Sequence, residues 1–211
     1  MILTHLGHSC FKLNGKSAIV VTDPYDQATF GKAMPKTKAD IVTVSHSHHD
    51  HCAIDRVINS PFVVQGPGEY EIKGISIWGI SSFHDKKMGS QRGKNTIYVY
   101  HLDTLRLCHL GDLGHKLDDS QIERIGELDI LMIPVGGVYT IDAKEAVQVV
   151  SQLEPKIVIP MHYKTKGLAF ELGSLNEFLR EINEKETKPV KSLKISKATL
   201  PEERKVVWLK K

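Results

Sequence analysis

The sequence predicts an α/β fold, a sandwich of β-sheets with helices on its outside, and three observations predict it. Short apolar runs of strand length alternate with turn residues; helical periodicity appears in a few places, mostly late; and no linker, low-complexity stretch or solenoid repeat divides the 211 residues. With 41% hydrophobic residues the chain can bury a sizeable core, and residues 1–211 read as one domain.

Taken in order, Cys10-Phe11-Lys12-Leu13, then Asn14-Gly15, then residues 18–21 read as a hairpin, because Asn-Gly favours a tight turn. Strand-like runs follow at 41–44, 62–64, 75–80, 96–102, 105–110, 130–133 and 157–159. A short helix is expected at about 53–58 and another near 120–127. Ala143, Ala146, Val147, Val150 and Leu153 recur at helical spacing and make one apolar face. Leu175, Phe178, Leu179 and Ile182 do the same behind Ser174-x-x-Glu177, a capping-box pattern. The last run, Val206-Val207-Trp208-Leu209 between lysines, reads as a strand closing a sheet edge, its charged flanks discouraging further pairing.

Composition narrows the function classes. The opening MILTHLGHSC is interrupted by Thr4, His5 and His8, and no later run reaches the length of a membrane span, so a soluble, untargeted protein is expected. Cys10, Cys52 and Cys108 are odd in number and lack a C-x-x-C spacing, which argues against a disulfide framework or zinc knuckle and for a reducing, cytoplasmic setting. The net charge of +3 is uneven: residues 180–211 hold ten Lys/Arg against five Asp/Glu, and residues 1–179 hold 18 against 20. The part carrying most histidines is thus slightly acidic, a poor footprint for nucleic acid.

Chemistry concentrates in Ser45-His46-Ser47-His48-His49-Asp50-His51-Cys52, directly behind the 41–44 run. In an extended chain His46 and His48 leave on the same side and can grip one ion. Asp50 and His51 fall where the chain should turn into a following helix, so they should point toward a second ion. Neutral imidazole and carboxylate suit zinc, manganese or iron. From this chain's own His and Asp frequencies, H-x-H-x-D-H is expected by accident about two times in a thousand. One turn cannot close a two-metal site, so further ligands should sit just after other strands. His84 behind ISIWGISSF, Asp112 behind LRLCHLG and His162 behind KIVIPM fit. His49 is off the pattern and should point away. Cys52 is expected to be a small residue at a helix start rather than a nucleophile. His115, three residues after Asp112, is placed to contact substrate or donate a proton.

H-S-H-H-D-H at 46–51, SSFHD, HLGDLG and IPMHY, in that order, resemble the metallo-β-lactamase superfamily of binuclear metallohydrolases. VVTDPY, with Asp23, resembles its first motif, a buried acid supporting the metal loop. THLGHSCF and PVGG resemble most a small prokaryotic group near the ascorbate-6-phosphate lactonases. The resemblance implies a four-layer αββα sandwich with the metals at one edge. It implies His46, His48 and His84 on a first divalent ion, Asp50, His51 and His162 on a second, and Asp112 bridging the two, zinc being the first choice of metal. Asp50 and Asp112, with His115, are then the candidate catalytic groups. Such a pair of ions lowers the pKa of bound water to about 7, so a bridging hydroxide could attack a small-molecule ester, lactone or related bond.

Two other functions remain open at this stage. A nuclease or cyclic-nucleotide phosphodiesterase would need basic groups at the rim, and Lys86, Lys87, Arg92 and Lys94 are the cluster near His84. A non-catalytic metal-binding or redox module would use iron and a flavin partner.

Overall fold

The structure, a computed structural model, describes residues 1–31, 34–184 and 187–211. Its strands run β1 (Ile2–Gly7), β2 (Cys10–Asn14), β3 (Ile19–Thr22), β4 (Thr37–Lys38), β5 (Ile41–Val44), β6 (Val57–Ile58), β7 (Phe62–Gln65), β8 (Gly68–Ile72), β9 (Ile75–Phe83), β10 (Lys94–Leu102), β11 (Leu105–His109), β12 (Ile130–Pro134), β13 (Ile157–Met161), β14 (Leu193–Lys194) and β15 (Lys205–Val206). Between them lie α1 (Gln27–Phe30), α2 (Asp119–Ile125), α3 (Ala143–Leu153) and α4 (Leu175–Glu181).

The strands form a six-stranded sheet, ordered β14-β1-β2-β3-β5-β7, and a seven-stranded sheet, ordered β15-β13-β12-β11-β10-β9-β8, with β4 and β6 pairing apart. Facing side chains of the two sheets make one apolar core, from Leu3, Leu13, Val20 and Ile41 on one side to Ile77, Tyr98, Leu107, Met132 and Ile159 on the other. Hydroxyls stitch the layers together: Tyr98 donates to the Val44 carbonyl at 3.0 Å, and the Thr43 and Tyr100 hydroxyls lie 2.7 Å apart. The outer face of the seven-stranded sheet packs α2, α3 and α4 through Ile125, Val149, Val150 and Phe178 against Val99, Leu131 and Val158. That explains why β12 and β13 are buried throughout and read as unbroken apolar runs. The αββα arrangement is present, but its layers are unequal: Val21, Val42 and Val44 on the far face are covered by Tyr25, Met34, Ala39 and Val57, with one-turn α1 as the nearest helix.

Several local expectations change. Residues 53–58 form a single 3-10 turn at Ile54–Arg56 followed by β6, because the chain there closes against β4. Ser174 begins α4 but makes no side-chain cap bond, since its own carbonyl already takes the Glu177 N–H at 3.2 Å. Among the α-helices, the capping boxes are Asp118 with Gln121 and Asp142 with Glu145. The final run closes the sheet edge as expected, though its strand is two residues long, and Trp208 then donates to the Tyr163 hydroxyl at 3.1 Å. β1 was hidden by Thr4 and His5, whose neighbours alternate between buried and half-exposed.

What matters for function is strand direction. β9 and β11 each run antiparallel to β10, and β11, β12 and β13 are mutually parallel, so β9, β11, β12 and β13 all end on one rim. β5 brings the metal-motif loop to the same rim, where the Ser45 carbonyl accepts the Thr96 N–H at 2.9 Å.

Candidate metal centre

The loop after β5 is shaped by one buried acid. Asp23 is fully buried at the end of β3; its Oδ1 accepts the Ser45 N–H at 2.8 Å, and its Oδ2 accepts both the Ser45 hydroxyl at 2.5 Å and His51 Nδ1–H at 2.8 Å. The Ser45 proton being committed to Asp23, its oxygen must accept from His46 Nδ1, 2.9 Å away. Both imidazoles are thereby fixed in the tautomer whose Nε2 lone pair faces inward.

The inward atoms converge. His46, His48 and His84 offer nitrogens within 4.8 Å of one another, and in a second cluster an Asp50 carboxylate oxygen and nitrogens of His51, His162 and His8 lie equally close. Between them lies Asp112: its Oδ2 is 3.9 Å from His46 Nε2, 3.3 Å from His51 Nε2, 3.2 Å from His84 Nε2 and 3.1 Å from His162 Nε2. All seven donors named from the sequence thus meet in one place. They do so in bends and turns rather than extended chain, and the loop after His51 leads into the 3-10 turn at Ile54–Arg56 rather than into an α-helix.

Two glycines make this geometry possible. A Cβ on Gly111, whose φ is +57°, would lie 2.3 Å from Asn95 Oδ1, the atom that accepts the Asp112 N–H at 3.0 Å. A Cβ on Gly114 would lie 2.3 Å from the His84 backbone. Either substitution would push the Asp112 turn away from its partners.

The donor set fits divalent cations. His46 Nε2, His51 Nε2 and Asp112 Oδ1 are buried without a hydrogen-bond partner, an arrangement that costs free energy unless a cation completes it. Burial and the neighbouring His51 lower His46 to a pKa of about 3, so it stays a neutral ligand. Burial would also lower His51, but the Asp112 and Asp50 carboxylates outweigh it and hold it well above the usual imidazole range. Asp112 is held well below its usual range despite burial by His162 and His51. Lone pairs facing carboxylate oxygens in this way demand positive charge between them, whether protons or metal ions.

Other residues depart from expectation. His115 does not line the cavity: its Nε2 accepts the Phe83 N–H at 3.1 Å and its Nδ1 donates to the Lys116 carbonyl at 2.7 Å, so it braces the end of β9. His49 joins neither donor cluster, yet it lines the cavity mouth instead of pointing away from it. Cys52 donates to the Ser47 carbonyl at 3.3 Å, and burial raises its thiol pKa, which leaves little thiolate. His8 was missed. It sits between β1 and β2 at a φ of 54°, its Nε2 is 3.1 Å from Asp50 Oδ2, and its ring centroid is 4.2 Å from that of His162. The rule that singled out His84, a histidine just past a strand, also finds His8 once β1 is recognised.

The family described as "Beta-lactamase superfamily domain" matches residues 2–162. The chain belongs to the metallo-β-lactamase superfamily. A crystal structure from Thermotoga maritima, named as a Zn-dependent hydrolase of that superfamily, is 40% identical, with a TM-score of 0.82 over 99% of this chain and 97% of its own. A UPF0173 metal-dependent hydrolase from Pelotomaculum thermopropionicum is 30% identical over 78% of this chain and 85% of its own. Another from Thermoplasma volcanium is 29% identical over 75% and 82%. With these relatives and this donor set, the chain is a metal-dependent hydrolase of the superfamily.

Proposed function

We infer that the protein is a binuclear hydrolase of small-molecule esters, lactones or related bonds, with zinc as its metal. The observation that carries this reading is the position of Asp112 Oδ2, within 3.1 to 3.9 Å of four imidazole nitrogens drawn from both donor clusters. A carboxylate so placed can offer an oxygen to each of two cations. When bound, the ions supply activated water at neutral pH and polarise the scissile bond.

The chain's own residues supply the rest. Asp23 fixes the facing nitrogens of His46 and His51, as a supporting carboxylate does for metal-ligating histidines. Asp50 and Asp112 balance the cationic charge, and His8 orients Asp50 from behind. The cavity in front is about 240 Å³, lined by His48, His49, Asp50, His84, Arg92, Asp112, Tyr139, His162 and Phe170. That is room for a small substrate group. Of the basic cluster that a nuclease would use, Lys86 pairs with Glu145 at 2.5 Å.

The three free cysteines favour a reducing, cytoplasmic setting. Among the described residues no helix is long and apolar enough to cross a membrane. Elemental analysis of protein purified without chelator, followed by a screen of lactone, carboxylester, thioester and phosphodiester substrates, tests the proposal. Two zinc ions per chain and turnover of a small ester or lactone are expected. A protein that holds no transition metal even after reconstitution sinks it.

A further inference from the structure

The cavity mouth carries a cation that the metal chemistry does not use. Arg92 lines the same cavity as His84, Asp112 and His162, is exposed, and among the described residues forms no ion pair. Its guanidinium carbon lies 4.6 Å from the centre of the Tyr139 ring, and its Nη2 reaches the Val138 carbonyl only at 3.5 Å. Tyr139 is itself set edge-on to Phe170 at 5.8 Å. A guanidinium laid on an aromatic face keeps its N–H edge free in a planar fork, the geometry that matches a carboxylate or phosphoryl group.

The loop that presents Arg92 is built rather than loose. Asp85, the residue after His84, is buried, and its carboxylate accepts backbone N–H groups from Lys87 at 2.7 Å, Gly89 at 3.0 Å, Gln91 at 3.0 Å and Arg92 at 2.7 Å. One carboxylate therefore ties the Arg92 backbone to the strand end that delivers a metal donor. The other cations of this loop differ: Lys86 is paired with Glu145, and Lys87 and Lys94 do not line the cavity. Beside the guanidinium, Val138 is 63% exposed.

We propose that Arg92, stacked on Tyr139 at the mouth of the metal cavity, selects substrates that carry an anionic carboxylate or phosphoryl group beside the bond to be cleaved. The aromatic pair, Tyr139 and Phe170, takes the uncharged remainder. The proposal rests on the small-molecule hydrolase reading and names the substrate class of that site.

The test uses zinc-loaded protein and matched esters that differ in one substituent: a carboxylate, a phosphoryl group, or a neutral methyl ester. In Arg92→Gln the preference for anionic over neutral substrate, measured as the ratio of kcat/KM values, should fall about 10- to 100-fold, the range for losing one charged hydrogen-bonding group. KM should move more than kcat, Arg92→Lys should restore part of the ratio, and metal content should not change. Lys87→Gln removes the same charge from the same loop and should leave the ratio as it was. The anionic ester with the larger loss identifies whether the carboxylate or the phosphoryl group is read. Equal losses on charged and neutral substrates, or none, overturn the proposal and leave Arg92 a brace for the Val138–Tyr139 turn. Should fully loaded protein hydrolyse no ester at all, the hydrolase reading fails by itself. Calorimetric binding of benzoate and phenylphosphonate then tests Arg92 separately: weakening of at least about tenfold in Arg92→Gln supports the anion site, and equal affinity removes it.

Discussion

Four donors, His46, His48, Asp50 and His51, leave the six-stranded sheet within one loop, whereas His84, Asp112 and His162 leave the seven-stranded sheet singly, each from the end of a different strand. The difference lies in what holds them. The contiguous set is organised locally, by Asp23 and Ser45 gripping the loop from within. The dispersed set is held by register: β9, β11 and β13 must end at the same height, and they do so only if the sheet that pairs them is whole. The fourth strand on that rim, β12, sends no donor, but its following turn presents Tyr139 to the cavity. A local cluster can survive damage to the sheet that a dispersed set cannot.

The largest effect should therefore come from the sheet edge, far from any donor. Deleting residues 203–211 removes β15, which pairs with β13, and with it buried Leu209 and the Trp208 bond to Tyr163, the residue after His162. The apolar edge of β13 would be exposed, and insoluble protein is expected. A truncated protein that stays soluble, keeps its far-ultraviolet circular dichroism and binds two metals would show that the dispersed donors do not need this edge.

Next in size is Asp112→Asn, because Asp112 is the one dispersed residue that faces both clusters. Asn keeps the turn and its backbone bonds but removes the charge and one good donor oxygen. The fold should persist, the second metal should weaken more than the first because His46, His48 and His84 remain, and turnover should fall at least about 100-fold. Two tightly held metals with near-normal turnover would reduce Asp112 to a turn residue.

The same contrast explains what could be seen before the structure. Four histidines and an acid crowded into 46–51 are improbable as chance, so the contiguous set announced itself. His84, Asp112 and His162 were visible only because each follows an apolar run that is plainly a strand. His8 obeys the same rule but follows β1, where a histidine, His5, takes a buried position and masks the apolar pattern, and so it went unseen. Asp85 was out of reach for another reason: its four N–H donors come from backbone atoms, which leave no trace in residue type. The one cap read from the sequence, at Ser174, was misread because the backbone had already taken the N–H, and the side-chain caps at Asp118 and Asp142 were not read.

Within the contiguous set, Asp23→Asn should have a moderate effect. The two protons now shared by Oδ2, from Ser45 and His51, would meet either a single carbonyl oxygen or an NH2 group that repels them. His51 would lose its enforced tautomer, and His46 with it. Metal affinity should fall about 10- to 100-fold while stoichiometry at saturating zinc stays at two. A competitive chelator titration measures this, and unchanged affinity would mean that the loop holds its own shape.

The smallest effect is expected at His115, which the sequence placed beside the chemistry and the structure places behind it. If His115 donated a proton to substrate, one ring nitrogen would have to face the cavity; instead Nε2 takes the Phe83 N–H and Nδ1 gives its proton to the Lys116 carbonyl. His115→Ala therefore removes two backbone partners at the end of β9 and nothing that touches substrate. Each such bond contributes about 1 kcal/mol, so a loss of about 1–2 kcal/mol in unfolding free energy is expected, with a lower Tm. Turnover should stay within about twofold and the pH profile should keep its shape, since the proton on Nδ1 is committed to a carbonyl. Denaturant unfolding and a pH–rate series on the one variant separate the two roles. A tenfold fall in kcat at unchanged stability would return His115 to the chemistry and mean that the loop around it moves when substrate binds.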